Sequence, residues 1–565
     1  MKNRCAGLLV PFQLVSLREA IAFCRAVAVH KRRWRLAKIV GTALVLLAIA
    51  STVAWADDAQ KWWEHVRFLA TDDMRGRETG SSEHRRAAEY VAGKLEAQGL
   101  APGGTSGFLQ NVPFFVRTVQ EESSSLAILR DGKREPVILG DDAFFSMRIE
   151  HAPEIEAPLV FVGYGLTVPE EGHDDLAGLD LKGKVVLQFT GGPENIPGPL
   201  LAHYQSTGER WKFLEKAGAL GVVAIRNPRG QDIPWERAAL ARFQPAMELT
   251  DPALADAAGQ KLSVTFHPES AKRLFEGSGH DYPELLAAAQ ARKPLSRFPV
   301  PVSIAATVRF KSEERESDNV VGILRGSDPK LSSEYVVLSA HLDHVGVGRP
   351  IGGDDIYNGA MDNASGIATL IETARILKET ATRPRRSIVF VAVTGEEKGL
   401  LGSRHYAAHP TVPEGSMVAN LNNDMFSPFF PLKSLVVQGL EESDLASDLK
   451  RAASSVGVEV LSDPEPERNA FVRSDQYSFI REGIPALSLK VGFTKDSPEH
   501  EIVKTWRKER YHAPSDDLNQ PVDLEAAAAF NRLVAKALLE IANRDTRPSW
   551  NKESFFKRFA KSGPS

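Results

Sequence analysis

The sequence predicts an α/β domain accompanied by a separate β-rich module, because the pattern of apolar residues changes along the chain. Between residues 318 and 543, short apolar runs typical of strands alternate with amphipathic stretches typical of helices. Such alternation favours a sheet covered by helices. Between residues 117 and 306, short β-like runs are punctuated by Gly and Pro instead. We therefore expect two kinds of architecture in one chain.

The N-terminal segment predicts an exported protein. A basic run, Lys31–Lys38, precedes the apolar run Ile39–Val53, and the small residues Ala54 and Ala56 follow. This order is typical of a signal peptide, here cleaved after Ala56, and the apolar run is short for a membrane span. We expect a periplasmic or extracellular location, with an uncleaved anchor as the alternative. The basic region is unusually long, so we interpret residues 1 to about 28 as an upstream misassigned start.

Composition excludes several classes of protein. The 565 residues are 43% hydrophobic and 25% charged, which is typical of a globular protein with two or three domains. The formal net charge of −4 provides no basic field for nucleic acid. Cys5 and Cys24 both lie in the predicted signal segment, so the mature chain would have no thiol. A zinc site would then depend on histidine and carboxylate ligands.

The secondary structure expected along the mature chain supports this division. Residues 57–116 form a first, helical part, with an amphipathic helix over 87–97 that ends before Gly99. Residues 117–306 form the β-rich module, 307–545 the main α/β part and 546–565 a polar tail. Within the main part we expect strands at Tyr335–Ala340, Ser387–Thr394 and Met417–Leu421, and helices at Ile367–Lys378 and Val522–Asn543.

Two acidic residues, Glu396 and Glu397, directly follow the predicted strand Ser387–Thr394. Ligands of open α/β sheets bind beyond the carboxyl ends of such strands. One of these glutamates could hold a metal while its neighbour moves a proton. An isolated pair would more often be solvated, so the interpretation depends on what else lies at the same edge.

Other candidate ligands also follow predicted strands or lie in turns. His341 follows the strand Tyr335–Ala340, and Asp343 offers a carboxylate that could orient this histidine without binding metal. Asp362 lies in a Gly- and Asn-rich turn, Asp424 follows the third strand, and His512 lies in a late loop. Each residue alone would more often be an ordinary polar or turn residue. Together, two histidines and three carboxylates suit two zinc ions that share one carboxylate.

The segments that contain these residues resemble the ligand motifs of the co-catalytic di-zinc exopeptidase family. This family includes bacterial secreted leucine aminopeptidases, glutamate carboxypeptidases and the catalytically inactive transferrin receptor. The module at 117–306 is similar to the protease-associated domain that many members carry as an insert. The motifs are His341–Gly346, Asn358–Gly366, Thr394–Ser403, Asn422–Met425 and Tyr511–Asp516.

The resemblance implies a mixed, mainly parallel sheet flanked by helices, the zinc exopeptidase fold. It also implies that Glu396 is the general base and that the peptide bond from Asp362 to Asn363 is cis. Met361 departs from the pattern, since many members have Asp there. Two zinc ions are implied, the first bound by His341 and Asp424, the second by Glu397 and His512, with Asp362 between them.

The function implied is that of a secreted zinc-dependent aminopeptidase acting on peptides, without nucleic acid and without stable membrane association after signal cleavage. The alternatives are a carboxypeptidase or dipeptidase and, more remotely, a glutaminyl cyclase or a receptor-like binding protein. Arginine would suit a substrate carboxylate and aspartate a substrate amine, so the polarity of the substrate stays open, as do side-chain preference and oligomeric state. The candidate pocket residues are Arg473, Asp475, Tyr477 and Phe493.

Overall fold

A mixed sheet of ten strands dominates the computed structural model, which describes residues 57–229 and 233–561. Its strand order is β11-β2-β14-β18-β15-β19-β22-β20-β21, with β1 beside β14. The strands of the protein, numbered in chain order, are β1 (Ala101–Pro102), β2 (Leu109–Val119), β3 (Ser125–Arg130), β4 (Lys133–Val137), β5 (Ala143–Phe145), β6 (Glu154–Phe161), β7 (Thr167–Val168), β8 (His173–Asp174), β9 (Val185–Phe189), β10 (Gly221–Ile225), β11 (Ala246–Leu249), β12 (Leu262–Phe266), β13 (Phe298–Thr307), β14 (Phe310–Leu324), β15 (Tyr335–His341), β16 (Gly346–Ile351), β17 (Asp354–Tyr357), β18 (Ser387–Val393), β19 (Met417–Asn422), β20 (Ser434–Gln438), β21 (Glu459–Ser462) and β22 (Ala486–Val491).

Helices cover both faces of this sheet. The predicted helices and strands of the main part are confirmed, with ends that differ by a few residues. Helix α2 begins where the Ser81 hydroxyl accepts a hydrogen bond from the backbone of His84 at 3.0 Å. The helices are α1 (57–69), α2 (Ser82–Ala97), α3 (Gly198–Gln205), α4 (Thr207–Lys216), α5 (Trp235–Leu240), α6 (Pro268–Ala271), α7 (Tyr282–Gln290), α8 (Ser365–Glu379), α9 (Leu401–Ala408), α10 (Leu445–Ser454), α11 (Gln476–Arg481), α12 (Pro498–Glu509) and α13 (Leu524–Asn543).

The central strands are buried on both faces, which explains their continuous apolar sequences. All seven residues of β15 and of β18 are buried. Successive side chains of a strand point to opposite faces. Accordingly, Leu338 and Phe390 belong to the core on the side of α8 and α13, whereas Val337 and Val391 pack with Tyr406 of α9.

The sheet is mixed, as expected, but parallel pairing is confined to two places. The pairs β18-β15, β15-β19 and β19-β22 are parallel in the centre, and β20-β21 is parallel at one edge. On the other side, β11, β2, β14 and β18 pair antiparallel. The expectation of a mainly parallel sheet therefore holds only for the centre, where helical crossovers connect the strands.

A second sheet of eight strands, in the order β4-β3-β13-β6-β9-β10-β12-β5, lies between β2 and β14 in the sequence. The chain leaves the main sheet at Val119 and re-enters it at Phe310, and these two residues are paired directly. The two ends of the insert are thus adjacent.

One short strand from this interval joins the main sheet. Met247 of β11 pairs with Val116 of β2 and is buried in a small apolar cluster with Phe114. Arg117 and Glu248 form an ion pair at 2.9 Å across the same strands. The predicted module at 117–306 is therefore interrupted by β11. This strand was not predicted because four residues are too few to be assigned to a sheet from their sequence.

The C-terminal segment differs from the polar tail that we predicted. Trp550 is 7% exposed and Phe556 is fully buried, and both pack with Phe471 and Ile480. Most residues of this segment are polar, so its composition gave no indication that the two aromatic side chains are buried. Residues 546–561 therefore contribute to the core beside α11.

The described residues contain no helix that is long and apolar enough to cross a membrane. The predicted signal peptide lies outside the described residues, so cleavage after Ala56 and export stay predictions.

Candidate metal centre

The carboxyl ends of the central parallel strands carry the predicted ligands. His341 is the last residue of β15, Glu396 and Glu397 follow β18, and Asp424 follows β19. Since β15 pairs in parallel with both β18 and β19, these residues meet at one edge of the sheet.

Asp362 comes from the turn that precedes α8, and neighbouring polar groups fix this turn. The Asp516 carboxylate accepts hydrogen bonds from the backbone of Met361 at 2.9 Å and of Asp362 at 3.0 Å. The Asn363 amide donates to the carbonyl of Asn423 at 2.9 Å, which joins the turn to the end of β19. The peptide bond from Asp362 to Asn363 is cis, as the resemblance implied.

The first donor set contains His341, Asp362 and Asp424. His341 Nε2 lies 3.2 Å from Asp362 Oδ1 and 3.4 Å from Asp424 Oδ1. The three residues could hold one metal ion.

The second donor set uses the other oxygen of the same aspartate. His512 Nε2 lies 3.2 Å from Asp362 Oδ2 and 3.1 Å from Glu397 Oε2. The five predicted ligands are therefore brought together in two sets, and Asp362 gives one carboxylate oxygen to each.

The arrangement fits cations better than direct pairing of the side chains. Among the described residues, the buried atoms that converge here without a hydrogen-bond partner include His341 Nε2, Asp362 Oδ2, Glu397 Oε1 and Asp424 Oδ1. Tetrahedral zinc with bonds of about 2.0 to 2.1 Å would separate its ligand atoms by roughly 3.3 to 3.4 Å. The observed separations are close to this value, and nitrogen and oxygen donors suit zinc.

The side chains form an alternating set of charges. Burial would raise the pKa of Glu397, but His512 and His344 outweigh burial and hold that pKa well below its usual value. Burial would lower the pKa of His512, but Glu397 and Asp362 raise it well above its usual value. When its histidines are neutral, the centre carries only the negative charges of its carboxylates. This charge favours the binding of a divalent cation.

Glu396 has a different environment from Glu397. Burial raises the pKa of Glu396 well above its usual value, opposed by His341 and assisted by Glu397, Asp424 and Asp475. A carboxyl group with a raised pKa beside a metal site is suited to accept and return a proton.

Asp343 is fully buried, and its carboxylate fixes the backbone of both glutamates. It accepts hydrogen bonds from the backbone N–H of Glu396 at 3.1 Å and of Glu397 at 3.3 Å, and from the Thr79 hydroxyl at 3.0 Å. We expected the carboxylate to orient His341 instead. His341 Nδ1 lies 3.1 Å from the Asp343 carbonyl oxygen but 3.9 Å from its carboxylate, because the chain turns after β15.

Sequence reasoning missed His344, whose side chain is fully buried at the second donor set. Its Nδ1 lies 2.8 Å from Glu397 Oε1 and 3.9 Å from Asp362 Oδ2. A second histidine three residues after His341 was the available signal in the sequence.

Arg77 was also missed and supports the same turns from the N-terminal part. Its buried guanidinium donates to the carbonyls of Leu342 at 3.0 Å, Asn358 at 2.8 Å and Gly359 at 3.0 Å. Any residue can supply a backbone carbonyl, so the sequence contains no acidic partner that would indicate the role of this arginine.

The four candidate pocket residues have different surroundings. Arg473 is exposed and, with Tyr511, lines a cavity of about 520 Å³. Burial, assisted by Asp424 and Asp343 and opposed by His341, raises the pKa of the fully buried Asp475 to about 7.

The other two candidates are packed side chains. The Tyr477 hydroxyl lies 2.7 Å from His203 Nδ1 of the insert, and the Phe493 ring stacks on His500. Their contribution to a substrate pocket stays a prediction.

The insert forms part of the approach to the centre. A cavity of about 300 Å³ is lined by Glu397 and His512 on one side and by Phe144 and Met147 of the insert on another. Arg148 lines the same cavity and donates to the Glu397 carbonyl at 3.1 Å. Both parts of the chain therefore bound the space next to the donor sets.

The fold and the paired donor sets agree with the co-catalytic zinc exopeptidase family that the motifs resemble. Comparison with known proteins supports this class, since residues 319–538 match the model described as Peptidase family M28. The match over this region confirms the family that we expected from the motifs.

Curated relatives match the same part of the chain. The aminopeptidase YwaD of Bacillus subtilis is 30% identical over 248 residues, which cover 43% of this chain and 49% of YwaD. A probable zinc metalloprotease of Pyrenophora tritici-repentis is 27% identical over 262 residues, which cover 41% of this chain and 58% of that protein. The chain thus spans less than two thirds of these relatives.

The aminopeptidase from Aneurinibacillus sp. strain AM-1 is a similar solved structure. It superposes with a TM-score of 0.51 at 21% identity, over 85% of this chain and 92% of that chain. This similarity confirms the α/β fold with helices on both sides of a mixed sheet. The resemblance of the insert to a protease-associated domain stays a prediction.

Proposed function

We propose that the protein is an exported aminopeptidase that uses two zinc ions to remove N-terminal residues from peptides. The observation that carries this proposal is the position of Asp362, which offers one oxygen to each of two buried donor sets. The relatives described as an aminopeptidase and as a probable zinc metalloprotease support the activity and the metal.

When bound, zinc would lower the pKa of a water molecule and polarise the scissile carbonyl. Glu396 would accept the proton of this water and return it to the leaving amine, since one carboxyl group can serve as base and then as acid. Asp343 would hold Glu396 in place through the backbone, and the insert would restrict water around the reacting bond.

A substrate panel tests the polarity of the reaction. We expect a free-amine peptide and its C-amidated form to be cleaved at similar rates, and the N-acetylated form to resist cleavage. Activity should disappear after chelation and return when zinc is added. The panel is measured by mass spectrometry of the products, before and after metal removal.

The alternative of a carboxypeptidase or dipeptidase has one observation in its favour. Arg473 is exposed in the cavity that it shares with Tyr511, where it could bind a substrate carboxylate. Loss of cleavage on C-amidation alone would favour this alternative and reject the aminopeptidase assignment.

Replacing Asp343 by Asn should reduce kcat by about 10- to 100-fold, as is typical for groups that support a metal site. The amide keeps one acceptor for the two backbone N–H groups, but its NH₂ would face one of them. The measurement is kcat together with zinc content. Thr79→Val, which removes only the hydroxyl donor to the Asp343 carboxylate, is the comparison variant, and equal rates for Asp343→Asn and the wild type would contradict the role.

A further inference from the structure

His344 has the surroundings of a metal ligand rather than of a packed core histidine. Its ring is fully buried, and within the described part of the chain neither ring nitrogen has a hydrogen-bond partner. Buried polar atoms usually have such partners. Nδ1 is the nitrogen closer to the acidic groups, at 2.8 Å from Glu397 Oε1.

The contact between His344 and Glu397 is short but is not a hydrogen bond of regular geometry. Nδ1 and Oε1 are only 2.8 Å apart, yet neither atom makes a hydrogen bond of regular geometry within the described residues. A nitrogen and a carboxylate oxygen that lie this close without a hydrogen bond between them are expected where both atoms bind the same cation. One donor atom each from His344, Asp362 and Glu397 also lie within 4.8 Å of one another.

The ring has little freedom to turn away. A Cβ atom added at Gly359 would lie 2.5 Å from the His344 ring, so glycine at this position gives the ring its space. The ring also meets the His512 ring edge to face, with centroids 5.8 Å apart. The backbone N–H of His344 donates to the Arg77 carbonyl at 3.3 Å.

We propose that His344 is a sixth protein ligand and that the two zinc sites are therefore unequal. This inference rests on the proposed di-zinc function. The first site has three protein ligands, His341, Asp362 and Asp424. The second site would have four, with His344 added to Asp362, Glu397 and His512.

The inequality has a chemical consequence. Zinc sites with four protein ligands are closed and retain the metal, whereas sites with three leave a position for water or substrate. The second site would therefore hold its ion more tightly, and the first site would exchange its ion and present the open position.

The test measures zinc binding directly, without activity. The full chain is stripped of metal and titrated with Zn²⁺ against a chelator of known affinity. We expect the wild type to bind two ions with unequal Kd values. His344→Ala should weaken the tighter step by about 10- to 100-fold and leave the other step within about 2-fold. Identical Kd values in the variant and the wild type would overturn the assignment.

His65→Ala is the matched control. His65 is a buried histidine whose Nε2 lies 3.4 Å from Glu372, and it has no part in either donor set. This variant should bind zinc as the wild type does. If the wild type itself binds no zinc, the proposed function fails, whereas a loss confined to His344→Ala supports the sixth ligand.

X-ray absorption of the zinc-loaded wild type covers the case in which His344→Ala does not fold. Three histidines over two ions would give about 1.5 imidazoles per zinc, and two histidines about 1.0. A value of about 1.0 would reject His344 as a ligand.

Discussion

Replacing Glu396 by Gln is expected to lower kcat by about 10³-fold, within the range typical of general acid–base catalysis, while both zinc ions stay bound. Glutamine keeps the size of the side chain but cannot take a proton. Glu396 belongs to neither donor set, so its substitution removes no ligand. The two neighbouring carboxyl groups also differ in their pKa shifts: the pKa of Glu396 is raised, whereas the pKa of Glu397 is lowered.

The measurement is kcat alongside the zinc content of the same sample. Glu442→Gln is the matched control, since burial also raises the pKa of this carboxyl, which lies beside Ser554 in the C-terminal segment. The control should keep the wild-type rate. A zinc-loaded Glu396→Gln protein with wild-type turnover would refute the assignment of the general base.

Replacing Asp362 by Ala is expected to reduce the zinc content from about two ions to about one or fewer per chain and to abolish activity. The substitution removes one oxygen from each donor set. It also removes one negative charge from a buried centre that attracts divalent cations.

Zinc content after dialysis and activity at saturating zinc are the two measurements. Asp448→Ala is the comparison, because Asp448 is a buried carboxylate that is paired with Arg544 at 2.9 Å and belongs to neither donor set. This control should lose stability but keep its zinc. Retention of two ions by Asp362→Ala would show that the aspartate does not bridge the sites.

The positions of the five candidate ligands and of Glu396 could be predicted because each follows a buried strand or lies in a tight turn. Apolar runs such as Ser387–Val393 locate the carboxyl ends of strands, and polar residues directly after them are confined to one edge of the sheet. The contacts of His344 and Asp343 could not be predicted in this way. They depend on how the chain turns after His341, which decides whether a carbonyl, a carboxylate or a ring faces the centre.

Other parts of the fold depend on pairing between distant segments. Nothing in the four residues of β11 indicates that they join β2 rather than the insert. Trp550 and Phe556 lie in a polar segment, and only their cavity beside α11 explains their burial.

The strand β11 restricts how the insert can move. An insert joined to the main sheet only at Val119 and Phe310 could swing on these adjacent ends as on a hinge. The pairing of Met247 with Val116 and the ion pair between Arg117 and Glu248 add a third attachment. The wall that Phe144 and Met147 place beside Glu397 is thereby tied to the main sheet by strand pairing as well as by the two chain connections.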